Sequence, residues 1–217
     1  MPNLFIDIET VPSQRTDIKE FIATTIKHPK QMKKADTIAK WEVEEKPNAI
    51  EKEWLKTSLD GGFGEIISFA CAIDDSNIVS EVRKLEEPES VLLNKLNKMF
   101  YGVRCIVGHN VLNFDLRFAH QRFLVSNIKS NLYFYFGSRN DSDIVFDTML
   151  EWSGRYNKSD YCSLEKMCRI FNIDIPTGKG SQVWEWASSG QYDKIVEHNK
   201  TDLKATRELF YKMNPNQ

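Results

Sequence analysis

Leu4-Phe5-Ile6-Asp7-Ile8-Glu9-Thr10 is an apolar run with two carboxylates set into it. Successive side chains of a β-strand alternate faces. Leu4, Ile6 and Ile8 then share one face, and Phe5, Asp7 and Glu9 share the other. Asp7 and Glu9 would stand on the same side, roughly 7 Å apart at the backbone. Like charges that close on a buried strand repel each other and lose hydration. A bound cation relieves both penalties. The competing reading is an edge strand with a solvated acidic face. The alternation places Asp7 and Glu9 toward a site and Ile6 and Ile8 in the core behind it.

The rest of the 217-residue chain sets bounds on these readings. Its apolar content of 41% and charged content of 28% suit a globular protein that buries a sizeable core. A net charge of −2 argues against a protein that coats nucleic acid electrostatically, but leaves room for a local basic groove. The four cysteines form no C-x-x-C pair and no His/Cys cluster of zinc spacing. With no signal peptide and no apolar run long enough to cross a membrane, a reducing, cytoplasmic location is the expectation.

Moving outward, residues 14–57 are charged with both signs mixed. They carry Ile18, Phe21, Ile22 and Ile26 at helical intervals, then Trp41 and Trp54, with Pro47 as a break. They read as a helical insertion after the first strand, either a cap over a site or a solvated appendage. Its position straight after the acidic strand favours the cap. Residues 65–73 read as a buried strand, returning as a hairpin through residues 78–85. A helix opens near Pro88 with Val91, Leu92, Leu96 and Met99 on its apolar face. Residues 103–107 form a short strand ending at Gly108-His109-Asn110, and a helix runs from Phe114 to about Val125. An aromatic, loop-like stretch from Tyr133 to Asp143 leads to a last short strand at 144–147. Helices follow over 163–171, 181–187 and 192–213, the first capped by Ser163. Strands first and helices later, with a strand–helix–strand unit between, give an α/β or α+β domain over residues 1–217.

Two further groups carry chemistry. Asn110-Val-Leu-Asn-Phe114-Asp115 lies just past the carboxyl end of a strand, where open α/β sheets build their sites. Gly108 allows close backbone approach there. Asp115 alone could simply be a charge at a helix start. His198 and Asp202 are four apart and share a helix face. Alone, they could be a surface pair.

In order, Asp-x-Glu, Asn-x-x-x-Phe-Asp and His-x-x-x-Asp resemble the three motifs of the DEDD-type 3′–5′ exonucleases of the ribonuclease H-like superfamily. The resemblance covers nearly the whole chain. It is closest to the predicted exonucleases similar to the proofreading domain of family B DNA polymerases. Phe5-Ile-Asp7-Ile-Glu9-Thr10, Gly64-Glu-Ile-Ile-Ser68, Gly108-His-Asn110, Phe114-Asp115, Phe146-Asp147-Thr148 and Gly180-Ser-Gln-Val-Trp184 carry it. It implies a five-stranded mixed sheet flanked by helices.

It also implies Asp7, Glu9, Asp115 and Asp202 as ligands of two divalent cations. Mg²⁺ or Mn²⁺ fits an all-oxygen site, and two such ions about 3.5–4 Å apart clamp an in-line phosphodiester displacement. Thr10, Asn110, Phe114 and Lys179 are the candidate substrate contacts.

One departure is visible. In the tyrosine subclass a Tyr stands four residues before the last Asp, and in the histidine subclass a His stands five before it. Here His198 brings histidine chemistry at the tyrosine spacing, and Glu197 holds the other position. His198 is read as the residue that orients or deprotonates the attacking water, with a pKa near 6.5.

The implied partner is nucleic acid with a free 3′ end, DNA favoured and RNA open, with replication or repair proteins acting in trans. The rival is a nucleic-acid-binding module that kept the fold and lost catalysis. His109 and His120 are read as structural, His28 as exposed, and Asp147 as a helix N-cap. Trp184 and Trp186 are either base-stacking or core.

Overall fold

The computed structural model describes residues 2–130, 132, 142–155 and 160–214. Its centre is strand β1 (Asn3–Val11), flanked on one side by β2 (Glu65–Ile73) and on the other by β4 (Cys105–Gly108). β3 (Val79–Val82) and β5 (Val145–Asp147) complete a five-stranded sheet in the order β3-β2-β1-β4-β5. β1 runs antiparallel to β2 and parallel to β4, so the sheet is mixed. The expected hairpin is present as β2 and β3, although β3 is shorter than residues 78–85 suggested.

The expected alternation holds along β1. Leu4, Ile6 and Ile8 enter one apolar layer with Leu92, Leu93, Leu96, Leu116 and Phe118. Phe5 enters the opposite layer with Leu203 and Phe210. α4 (Glu89–Met99) and α5 (Asp115–Val125) cover the first face, and the long α9 (Tyr192–Met213) covers the second. Phe210 stands edge-on to both Phe5 and Phe146, at centroid distances of 5.3 and 4.9 Å. Burying each such side chain contributes about 1.5–3 kcal/mol. These layers therefore lock α9, and the residues it carries, against β1.

Three helices fill the segment after β1: α1 (Thr16–Thr25), α2 (Ala35–Glu44) and α3 (Lys46–Lys56), followed by a 3-10 turn at Thr57–Leu59. Ile18 and Ile22 of α1 pack on Trp54 of α3. Trp54 is anchored twice more, by its indole N–H to Ser13 O at 2.9 Å and edge-on to Trp184 at 5.1 Å. The expected break at Pro47 is present, since α2 ends at Glu44 and α3 begins at Lys46. Pro47 itself stands in the first turn of α3, where a missing N–H leaves nothing unsatisfied. His28 is half-buried rather than exposed, because its ring packs edge-on to Trp41. On α4 the buried face is Leu92, Leu93 and Leu96, and Val91 is 57% exposed.

The remaining helices among the described residues are α6 (Thr148–Trp152), α7 (Leu164–Phe171) and α8 (Val183–Ser188). Ser163 caps α7 as expected, accepting the Lys166 N–H. The aromatic stretch expected from Tyr133 to Asp143 lies outside the described residues apart from Ser142 and Asp143. No helix among the described residues is long and apolar enough to cross a membrane.

Candidate active site

β4 pairs with β1 only from Asn3 to Phe5. Past Gly108 the chain leaves the sheet, so the second half of β1 loses its neighbour on that side. The turn passes through Asn110 in a left-handed conformation (φ 59°), a region that asparagine tolerates. A Cβ on Gly108 would lie 2.6 Å from Val111 Cβ, so only glycine allows this exit. α5 then begins at Asp115, whose Oδ1 accepts the Ile8 N–H at 2.9 Å. Asp115 thus satisfies a backbone donor on the open edge of β1 and is 4% exposed.

Asp147 fastens the same turn from behind. Its carboxylate accepts the N–H groups of Asn110 and Leu112, and caps α6 through Met149 and Leu150. The expected N-cap role is present, with the loop clamp added to it. Burial holds its pKa above the usual carboxylate range even against these four donors.

Asp7 and Glu9 project from β1 into a cavity of about 300 Å³ that Asn110, Phe114, Asp115, His198 and Asp202 also line. Asp7 is oriented by Asn199, whose side-chain N–H₂ donates to Asp7 Oδ2 at 2.5 Å and to Asp7 O at 3.3 Å. Asn199 is fully buried, and its carbonyl oxygen accepts from Ser68 Oγ at 2.9 Å. Neither Asn199 nor Ser68 stood out as a site residue in the sequence. The signal was available: Asn199 sits four residues from Ile195 and four from Leu203, a polar residue in the buried stripe of α9.

His198 is 4% exposed and faces carboxylates with both ring nitrogens. Nε2 lies 3.3 Å from Glu9 Oε1. Nδ1 lies 2.7 Å from Thr177 O and 3.2 Å from Asp202 Oδ1. The one Nδ1 proton goes to the nearer Thr177 carbonyl, so Asp202 Oδ1 is buried with no hydrogen-bond donor among the described residues. The Trp186 ring backs the imidazole at 5.8 Å, which makes this Trp core. Gly178 (φ 79°) brings the Thr177 loop over Trp186, since a Cβ there would lie 2.5 Å from the indole.

The electrostatics follow from this crowding. Burial first, then the charges of Asp115, Glu9 and Asp202, push Asp7 well above the carboxylate range, against the Asn199 hydrogen bond. Glu9 is pushed up to about 8 by burial with Asp202 and Asp115, although His198 draws it down. Asp115 is pushed up to about 7, mainly by burial, against the Ile8 N–H. For His198, burial lowers the pKa, but Asp202 beside Nδ1 and Glu9 opposite Nε2 outweigh it and raise it to about 9. His109, buried with Nδ1 2.8 Å from Thr148 Oγ1, falls to about 4 and stays neutral.

Asp7, Glu9, Asp115 and His198 all hold protons more tightly folded than unfolded. A raised folded pKa contributes stability that is present below the unfolded value and lost as pH rises through the folded one. His109 acts in the opposite sense, but only between its folded value and its ordinary value of 6.5. In EDTA, the melting temperature is therefore expected to fall between about pH 6.5 and 9. A melt series with a flat or rising trend over that window would contradict this proton balance.

A divalent cation fits these groups. Glu9, His198 and Asp202 each offer a ligand atom within 4.8 Å of the others. The donorless Asp202 oxygen and the three proton-holding carboxylates are what an oxygen-ligand site looks like before its charge is balanced.

The candidate substrate contacts divide. Asn110 and Phe114 line the carboxylate cavity. Thr10 lines an adjoining groove and donates its hydroxyl to Ser58 O at 2.6 Å. Lys179 is exposed and lines neither hollow, although its neighbour Gly180 lines both.

Comparison with known proteins bears on this arrangement. No curated protein matches the chain. Among solved structures, the family B DNA polymerase of the hyperthermophilic archaeon Pyrobaculum calidifontis is similar, with a TM-score of 0.58 at 11% identity. The likeness covers 99% of this chain and 25% of that one, and it shows a shared fold, a mixed five-stranded sheet flanked by helices. A family described as predicted 3′–5′ exonucleases related to the exonuclease domain of PolB matches residues 52–216, a span that holds Asp115, His198 and Asp202 but begins after Asp7 and Glu9. On that match the chain belongs to the family of predicted 3′–5′ exonucleases related to the PolB exonuclease domain.

Proposed function

We propose that this chain is a divalent-cation-dependent 3′–5′ exonuclease, one domain over residues 1–217, that removes nucleotides from the free 3′ end of nucleic acid. The observation that carries the reading is the convergence of four carboxylates from β1, α5 and α9 on one cavity, with a buried Asp202 oxygen that has no donor among the described residues. A pure binding module gains nothing from concentrating negative charge where phosphates must come. Single-stranded DNA is the favoured substrate, in keeping with a family related to a DNA polymerase domain. A cytoplasmic setting, with replication or repair proteins as partners in trans, completes the proposal.

Asp7, Glu9, Asp115 and Asp202 would hold two Mg²⁺ or Mn²⁺ ions. When bound, such ions lower the pKa of the attacking water and stabilise charge on the leaving oxygen. The chain's own residues do the rest. Ile8 N–H fixes Asp115 and Asn199 fixes Asp7, so two carboxylates are held without rotamer freedom. Thr177 O holds the Nδ1 proton of His198, which makes Nε2 the nitrogen that takes the proton of the water. The water oxygen bonds to phosphorus as the bond from phosphorus to the 3′ oxygen of the penultimate nucleotide breaks. That oxygen then takes up a proton. A nucleoside 5′-monophosphate leaves.

Oligonucleotides of DNA and RNA labelled at the 5′ end test the reading. Laddering from the 3′ end that needs Mg²⁺ or Mn²⁺ and stops in EDTA is the expected result. Cleavage that survives EDTA would sink the cation-dependent mechanism. Tight binding without cleavage under either metal would support the module instead. Preferential cleavage of RNA would move the substrate to exoribonuclease.

A further inference from the structure

Beside the carboxylate cavity lies a second hollow of about 530 Å³, the right size for a small ligand. The two meet at Glu9, Phe114 and Gly180. The outer wall of this groove is the insertion helix α3 and the turn after it.

α3 buries Trp54 against α1 and Trp184. Lys52, Leu55 and Lys56 of α3, with Leu59 of the 3-10 turn that follows, border the groove and stay exposed. Leu55 and Leu59 keep 37% and 62% exposure, although the helix has already found a core for Trp54. Lys56 holds Glu53 at 2.5 Å, but both side chains are largely in solvent. An exposed pair of this kind is worth about 0–1 kcal/mol, so a phosphate can displace the carboxylate.

Apolar side chains flanked by lysines, opening onto a carboxylate cluster, match the chemistry of a nucleotide. Its base has an apolar face to stack, and its phosphates need cations. The alternative occupant, a peptide segment, would give the lysine pair no role beside Glu9.

We infer that the α3 groove seats a nucleotide of the substrate strand next to the scissile phosphate, its base on Leu55, Leu59 and Phe114 and its backbone phosphates on Lys52 and Lys56. The inference rests on the exonuclease reading of the neighbouring cavity. It also explains why the insertion is there, since the helices after β1 build a binding wall that the sheet itself lacks.

The full chain is tested in two arms. In the first, fluorescence anisotropy follows a 5′-labelled single-stranded DNA in EDTA, so it reads binding whether or not hydrolysis occurs. The Lys52→Glu/Lys56→Glu variant is expected to bind at least about tenfold more weakly. Its log–log salt slope should be shallower by about 1.4, at about 0.7 per lost phosphate contact on a single strand. Both positions are exposed, and a melt confirms the fold.

In the second arm, Leu55→Ala/Leu59→Ala is compared on DNA with an abasic residue at the terminal or the penultimate position. The position at which this variant no longer weakens binding is the nucleotide seated in the groove. Unchanged affinity and salt slope in the lysine variant would overturn the inference. So would a leucine variant that binds normal DNA as tightly as the wild type. If binding responds as expected but no metal supports hydrolysis, the exonuclease reading fails and the groove stands.

Discussion

Asp115→Asn is expected to reduce 3′-end hydrolysis by at least about 10³-fold, the equivalent of roughly 4 kcal/mol of transition-state stabilisation lost with a cation ligand. The same substitution is expected to raise the melting temperature in EDTA at pH 8. The two effects have one cause. Burial first, then the charges of Asp147 and Asp202, hold the Asp115 pKa up at about 7. Above that pH the folded chain must carry an ionised carboxylate that it disfavours. Asparagine keeps an oxygen for the Ile8 N–H and the start of α5 but carries no charge. The local fold survives and the repulsion goes. Mn²⁺ should stabilise the wild type markedly at pH 8 and the variant much less. Calorimetric melts with and without Mn²⁺, beside a hydrolysis assay, check all three. A variant that loses activity and also melts lower in EDTA would mean that Asp115 is structural.

His198→Ala is expected to lower turnover by roughly 10²–10⁴-fold, the range of a lost general base. The pH profile carries the sharper test. From sequence, the acid limb belongs near pH 6.5. The structure moves it upward. Burial alone would lower the imidazole pKa, but Asp202 beside Nδ1 and the charge of Glu9 opposite Nε2 outweigh it and raise it to about 9. Cations on the same carboxylates would weaken that pull, so the limb is expected between about 6.5 and 9. A base works unprotonated, so the rate should climb with pH through that interval. The climb should vanish in His198→Ala. An unchanged profile in the variant would remove His198 from proton transfer.

These expectations rest on groups that were visible to different degrees in the sequence. The alternation of Leu4 to Glu9 was fully legible, because a strand's two faces follow from backbone geometry alone. The phase of α4 was not. Val91 fits the apolar spacing as well as Leu93 does, and only packing against β2 decides that Leu93 faces in. Trp186 could have been a base platform or core, and the Thr177 loop folding over it made it core. The groove wall of α3 was invisible for a related reason. The charged insertion could have been a cap or a solvated appendage, and only the docking of Trp54 turned Lys52 and Lys56 toward Glu9.

Local periodicity made the order of strands and helices and the acidic face of β1 legible, whereas the five candidate catalytic residues were legible only through the resemblance to the DEDD-type exonucleases. Tertiary structure decided everything that depends on distant segments meeting. Asp115 reaches Ile8 across 107 residues, and Asn199 reaches Asp7 across 192. Such contacts are fixed by where β4 leaves the sheet and how α9 is locked by Phe210 against Phe5 and Phe146, and neither is encoded in any one stretch. The imidazole that sequence alone would set near its free pKa is therefore held between two carboxylates, where burial and charge together decide its proton.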